Sequence, residues 1–80
     1  MTTLIKKSIH SHDDLVVEFS YCDSKGKTSR RVVSPIRFLG NDRFLGLCLS
    51  REEPRQFYLG RCQSMELKPA YDYVMPVQFD

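Results

Sequence analysis

Hydrophobic residues recur at every second position over much of the chain, which is the pattern of half-buried β-strands. The clearest case is segment 15–22, where one face of the strand would carry Leu15, Val17, Phe19 and Tyr21. Further segments of this kind lie at about residues 29–39, 43–50, 55–59 and 64–68, and turns containing Gly, Asp or Pro separate the first four. The pattern therefore predicts five short strands at roughly ten-residue spacing.

The second and third strands each contain a residue that predicts an irregularity. Pro35 has no N–H to donate to a neighbouring strand, so it marks a bend, a bulge or a sheet edge. Gly46, in the middle of an apolar strand, indicates strong bending or a close approach of backbones. Simple alternation divides the second strand into two faces: Val32, Ile36 and Phe38 against Arg31, Val33 and Arg37.

Residues 2–11 have a helical rather than an alternating pattern, because Leu4, Ile5 and Ile9 lie at helical spacing. Thr2 or Thr3 would cap this helix. A short helix followed by five strands is a mainly β architecture and indicates a small barrel, in which the sheet closes on itself. At 80 residues the chain has the size of one domain.

Composition narrows the possible functions. Hydrophobic residues make up 41% and charged residues 28%, which is ordinary for a globular domain. The sequence has no apolar run long enough to cross a membrane and no signal-peptide pattern, so we expect a cytoplasmic protein. Three cysteines without a CxxC pair are expected to be reduced and unpaired. No catalytic set, phosphate-binding glycine loop or metal-ligand spacing stands out, so we expect no enzyme activity, metal or cofactor.

Positive charge is concentrated in one part of the sequence. Residues 25–43 contain six basic side chains and a single acid, Asp42, although the net charge of the whole chain is only +2. Arginines next to aromatic residues recur in Arg43-Phe44 and in the segment 55–61, which begins and ends with arginine. Such a combination suits single-stranded nucleic acid, since guanidinium groups bind phosphates and rings stack on bases. The alternative is that the rings belong to the core and the arginines are simply solvated.

The order of these segments resembles the WYL domain. The resemblance rests on Val17-Glu-Phe-Ser-Tyr21, Gly26, Arg31-Val-Val-Ser-Pro35, Arg43-Phe-Leu45 and Arg55-Gln-Phe-Tyr-Leu-Gly-Arg61, within about residues 4–68. It implies a short N-terminal helix followed by a five-stranded SH3-like or Sm-like barrel, with residues 69–80 as a C-terminal extension. It also implies a non-enzymatic sensing module, related to bacterial transcription regulators and defence systems, for single-stranded nucleic acid or a nucleotide.

Carried over by position, the family's basic face corresponds to Arg31, Arg55 and Arg61, which we expect to converge on one side of the barrel. The wider candidate set adds Phe44, Tyr58, Arg43 and Arg37. The sequence departs from the family pattern where Arg43 replaces Trp, Phe44 replaces Tyr, Tyr58 replaces Arg and Gly60 replaces Asp. These departures concern the ligand rather than the fold. Glu66 or Asp23 would oppose the idea if either formed ion pairs with the three arginines.

The second hypothesis is a protein-interaction or oligomerisation module, because SH3-like barrels often serve that role. The C-terminal segment Tyr71-Asp-Tyr-Val-Met-Pro76 would then pair with another chain or a second copy. The dependence of binding on salt concentration distinguishes the two hypotheses. Binding through phosphates weakens steeply as salt rises, whereas an apolar contact does not.

Overall fold

The computed structural model describes residues 1–11, 14–49 and 52–72. A single helix, α1, precedes five strands, as expected from the sequence. The elements are α1 (Thr2–His10), β1 (Leu15–Cys22), β2 (Thr28–Leu39), β3 (Arg43–Cys48), β4 (Glu53–Tyr58) and β5 (Cys62–Pro69), with 3₁₀ turns at Leu59–Arg61 and Ala70–Asp72. The mainly β class is therefore confirmed. The C-terminal residues 73–80, which include most of the segment proposed to pair with another chain, lie outside the described residues.

The five strands form one antiparallel sheet in the order β4-β3-β2-β1-β5. Among the described residues β4 and β5 are not paired, so the hydrogen-bonded ring that we expected from a closed barrel stays open between them. The sheet is nevertheless strongly curled. The ring of Phe19 on β1 lies 5.4 Å from that of Phe57 on β4, although β2 and β3 separate these strands in the sheet. The architecture is that of a small barrel with one open seam.

The concave face of the sheet holds the core. Its buried members are Ile5, Val17, Phe19, Val33, Phe44, Phe57 and Cys62. Ile5 brings α1 into this cluster, and Leu4 and Ile9 pack against it. The hydroxyl of Ser8, which is fully buried, donates to the carbonyl of Leu15 at 2.7 Å and so fixes the helix to the start of β1. The predicted threonine cap is wrong, since Met1 is the N-cap and no side chain caps the helix.

The predicted faces of β2 are wrong in its first half because of a bulge. Val33 and Pro35 face the core, opposite Cys48 and Gly46, and the pairing shifts between Pro35 and Arg37. The additional residue, Ile36, is 46% exposed. Alternation resumes in the opposite phase beyond it, so that Phe38 packs against the core. A bulge exchanges the two faces of a strand, and Pro35 is the residue that signalled one.

Gly46 is required by close packing between β2 and β3. A Cβ atom at this position would overlap Cγ1 of Val33 and would lie 3.3 Å from the ring of Phe44. The sequence predicted strong bending or a close approach of backbones at Gly46, but the nearest atoms belong to side chains that fill the space above the glycine. On its two sides Gly46 pairs with Pro35 of β2 and Arg55 of β4.

The three cysteines, which all lie among the described residues, form no disulfide bond; Cys48 and Cys62 are buried and Cys22 is half-buried. Burial raises the pKa of the Cys62 thiol to about 12. Within the described residues, no helix has the length and apolar character needed to cross a membrane.

Candidate nucleic-acid interface

A cleft opens at the end of the sheet where the β1–β2 turn, β4 and the 3₁₀ turn Leu59–Arg61 meet. We call it the arginine cleft; it has a volume of about 430 Å³ and is lined by Tyr21, Asp23, Ser24, Arg55, Gln56, Tyr58 and Arg61. Segments distant in sequence reach it because the sheet is curled. Two of the three arginines expected to converge on one side of the barrel, Arg55 and Arg61, therefore line the same cleft.

The guanidinium groups of Arg55 and Arg61 stand out because neither has a hydrogen-bond or ion-pair partner among the described residues. Arg55 is exposed and shares the parity of the buried Phe57, so it extends the concave face of β4 towards solvent. Arg61 ends the 3₁₀ turn and is half-buried. Within residues 1–11, 14–49 and 52–72, neither arginine forms a hydrogen bond or an ion pair. Two unpaired cations lining one cleft favour an anion as the missing partner.

Tyr58 presents the aromatic surface of the arginine cleft. Its side chain is 44% exposed, and the guanidinium carbons of Arg43 and Arg61 lie 5.9 and 5.8 Å from its ring centroid. The backbone of Tyr58 is held on both sides: its N–H donates to the hydroxyl of Tyr21 at 3.1 Å, and its carbonyl accepts from the Cys62 thiol at 3.4 Å. The backbone that carries the ring is thus fixed beside the cations.

Arg43 supports this arrangement from β3, where it pairs with Tyr58. One of its terminal nitrogens, Nη1, donates to the side-chain oxygen of Gln56 at 3.1 Å, and Nε lies 3.7 Å from Asp42. The Nε atom itself is buried without a hydrogen-bond partner. Because its charge is already shared with Asp42, Arg43 positions Tyr58 and is less available to a ligand than Arg55 or Arg61.

Asp23 is the one acidic side chain among the residues that line the arginine cleft. Its Oδ1 atom accepts from the backbone N–H groups of Lys25 and Lys27, both at 2.9 Å, which closes the β1–β2 turn. The N–H of Lys27 is the main cause of a lowered pKa for this carboxyl, with weaker contributions from the charges of Lys27 and Arg61. Asp23 forms no ion pair with Arg31, Arg55 or Arg61, so the first of the two acids we named does not neutralise them.

The remaining candidates lie elsewhere. Arg31 is half-buried on β2 opposite Phe19, and its Nε donates to Ser29 at 3.0 Å; it shares the concave face but does not line the arginine cleft. Arg37 is exposed at the bulge, in a separate groove beside α1. Phe44 is fully buried against Phe19 and Phe57, so its proposed contact with a ligand is wrong and its role is in the core.

The second acid we named, Glu66, belongs to a different part of the surface. On the convex face of β1, β2 and β5, Arg30 donates to Glu18 at 3.1 Å, to Ser20 at 3.0 Å and to Glu66 at 3.5 Å. Lys68 lies 3.7 Å from Glu66. We call these five residues the outer network. They account for Glu66 without involving any of the three arginines expected to bind.

Sequence reasoning missed Tyr21. Alternation correctly placed its ring towards the core, where it packs edge-on against Phe19 and Phe57. Its hydroxyl, however, emerges in the arginine cleft and accepts the N–H of Tyr58. The available signal was the position of a tyrosine, rather than a phenylalanine, at the end of an apolar strand face, because a buried tyrosine usually finds a partner for its hydroxyl.

Comparison with known families agrees with this architecture. The WYL domain model matches residues 5–67, which is most of the chain, and the chain therefore belongs to the WYL family. A comparison with curated protein sequences finds no match. Membership is consistent with a regulatory ligand-binding module, and WYL domains are generally non-catalytic.

Proposed function

We propose that the chain is a non-enzymatic binding module for single-stranded nucleic acid or a nucleotide, and that the arginine cleft is its binding site. The observation that carries the proposal is that the guanidinium groups of Arg55 and Arg61, which have no hydrogen-bond or ion-pair partner in the described part of the chain, line one cleft with the exposed ring of Tyr58. In this role the two arginines bind phosphate oxygens, and a base packs beside Tyr58.

The shape of the arginine cleft favours a single strand over a duplex. Its volume of about 430 Å³ suits one nucleotide unit rather than a double helix. A base in a duplex is already stacked on both faces, so only an unpaired base has a face free for an aromatic side chain. Arg31, on the same concave face, is placed to contact a neighbouring phosphate along the strand.

The interaction-module hypothesis has one structural observation in its favour: the outer edge of β4 pairs with no other strand among the described residues. An open edge offers N–H and C=O groups to a strand from another chain. Pro54, inside β4, removes one of these donors, and the N–H of Tyr58 is already bonded to Tyr21. The edge is therefore a poorer template than its length suggests, and nucleic-acid binding remains our principal proposal.

A titration of fluorescently labelled single-stranded oligonucleotides, followed by anisotropy, tests the proposal. We expect binding at low salt that weakens steeply between about 50 and about 200 mM salt. Arg55→Ala and Arg61→Ala should each lower the affinity for all sequences and reduce the salt slope by about one unit.

Arg37→Ala is the matched control, because it removes the same charge from an exposed arginine that lies outside the arginine cleft. It should leave the affinity within about twofold of the unmodified chain, through long-range electrostatics alone. Absence of binding at low salt, or equal losses in all three variants, would contradict the proposal. Salt-independent self-association in sedimentation measurements would support the interaction module instead.

A further inference from the structure

The carboxylate of Asp23 is the feature that phosphate binding leaves unexplained. A negative charge in a cleft that binds phosphates weakens their binding, and Asp23 is near enough to Arg61 for the arginine to affect its pKa. The turn does not require this charge. Only Oδ1 accepts the two backbone N–H groups, and the amide oxygen of an asparagine can also accept them, although more weakly than a carboxylate.

The other carboxylate oxygen, Oδ2, has no partner among the described residues. Asp23 is half-buried, and the arginine cleft lies in front of it. An ionised carboxylate only accepts hydrogen bonds, so Oδ2 selects a ligand that carries a donor close to its anionic group. In a nucleotide the donor closest to the phosphate that is not part of the base is the ribose hydroxyl.

We propose that Asp23 makes the arginine cleft selective for ribonucleotides, by accepting a hydrogen bond from the ribose 2′-hydroxyl of a nucleotide whose phosphate is bound by Arg61. This inference rests on the proposed function and names its substrate class. The pairing is chemically common: carboxylates bind ribose hydroxyls in dinucleotide sites, and the 2′-hydroxyl is the group by which proteins distinguish RNA from DNA. Deoxyribonucleotides meet the repulsion of the carboxylate without the compensating hydrogen bond.

Three oligomers of about eight uridine units test the inference, since this length covers a typical single-strand site. One carries ribose, one carries deoxyribose, and one carries 2′-fluororibose, which keeps a ribose-like sugar pucker but lacks the donor. For the unmodified chain we expect the ribose oligomer to bind roughly tenfold more tightly than the other two, as one hydrogen bond to a charged group allows.

Asp23→Asn is the decisive variant, because it retains the turn-forming oxygen and replaces the free acceptor with a donor. It should bind the ribose oligomer more weakly and the deoxyribose oligomer as tightly or more tightly, so the preference disappears. Ser24→Ala, which changes a neighbouring residue of the same cleft, should keep the preference.

The outcomes separate this inference from the proposed function. If no oligomer binds at low salt, the proposed function fails and takes the inference with it. If ribose and deoxyribose oligomers bind equally to the unmodified chain, or if Asp23→Asn keeps the preference, only the role of Asp23 is overturned. The three-oligomer comparison uses the unmodified chain, so it stays decisive even if the variant folds poorly.

Discussion

Arginines on this sheet occur in two contrasting regions. In the outer network, Arg30 lies between Glu18 and Glu66 and contacts both carboxylates. In the arginine cleft, Arg55 and Arg61 line the same space without an ion pair to any described residue. In the outer network the arginine charge is balanced by carboxylates of the domain itself, whereas in the arginine cleft no ion pair to a described residue balances the two arginine charges.

The difference follows from where each arginine sits in the register. Arg30 pairs with Ser20, which is two residues from Glu18 and on the same face of β1, and Glu18 itself pairs with Glu66 on β5. Cross-strand neighbours of opposite charge stabilise a sheet. Arg55 pairs with Gly46, which offers no side chain, and Arg61 lies in a turn outside the ladder. The same residue type is therefore structural in one place and available for binding in the other.

The largest effect on stability should come from a substitution that disturbs the packing of the sheet carrying both regions. Gly46→Val forces a side chain into the space already filled by Val33 and Phe44, and we expect the free energy of unfolding to fall by about 1–3 kcal/mol. Gly60→Ala is the control, because a Cβ there meets nothing within 4 Å, and it should change stability by less than about 0.5 kcal/mol. Denaturant unfolding measures both, and equal midpoints would show that β3 tolerates a side chain at Gly46.

A smaller effect should distinguish the two regions directly. Arg30→Ala leaves Glu18 and Glu66 opposite each other on adjacent strands, and we expect a loss of about 0.5–1 kcal/mol, since the group is partly exposed. Arg55→Ala, which removes no hydrogen bond or ion pair to a described residue, should leave stability unchanged or slightly raised through relief of repulsion. The comparison would be reversed if Arg55→Ala destabilised the domain more than Arg30→Ala in the same unfolding experiment.

The smallest effect concerns the acid of the arginine cleft. The pKa of Asp23 is lowered from its usual 3.8, chiefly by the hydrogen bond from the N–H of Lys27. Its ionised form therefore stabilises the folded state above the usual pKa, and this contribution disappears as the pH falls through the lowered value. Thermal midpoints measured between about pH 6 and about pH 3 should show the unmodified chain losing its advantage over Asp23→Asn on acidification. If the difference in thermal midpoint between the two proteins does not change with pH, ionisation of Asp23 is not its cause.

The local sequence pattern was enough to predict the helix and strands, but not the way in which the strands pair and face the core. The alternation from Leu15 to Tyr21 was predictable, because it depends only on near neighbours in sequence. The bulge reversed the faces of β2 at Ile36, and no periodicity continues across an inserted residue. Seam closure depends on pairing between strands that alternation does not describe, so the open edge between β4 and β5 was not foreseen.

The candidate site was predicted in part for the same reason. Arg55 and Arg61 were selected by resemblance, and the curl of the sheet brings them to one cleft. Phe44 was also selected by resemblance. It lies on the same face of β3 as Gly46 and Cys48, however, and that face is buried. The contribution of Asp23 depends on which oxygen the turn uses, a detail of geometry that the letters Asp23-Ser-Lys-Gly-Lys27 do not contain.

The three-residue turn Leu59–Arg61 acts as a length constraint on the whole sheet. It joins β4 to β5, which are the first and last strands in the sheet order. The four Cα–Cα steps from Tyr58 to Cys62 span at most about 14 Å, whereas the outer strands of a flat five-stranded sheet would lie about 19 Å apart. A flat sheet is therefore incompatible with the covalent chain, and curvature is set by the reach of one connection. The arginine cleft lies at that connection, so its width is a quantity that evolution or design can adjust by adding or deleting residues in a single turn.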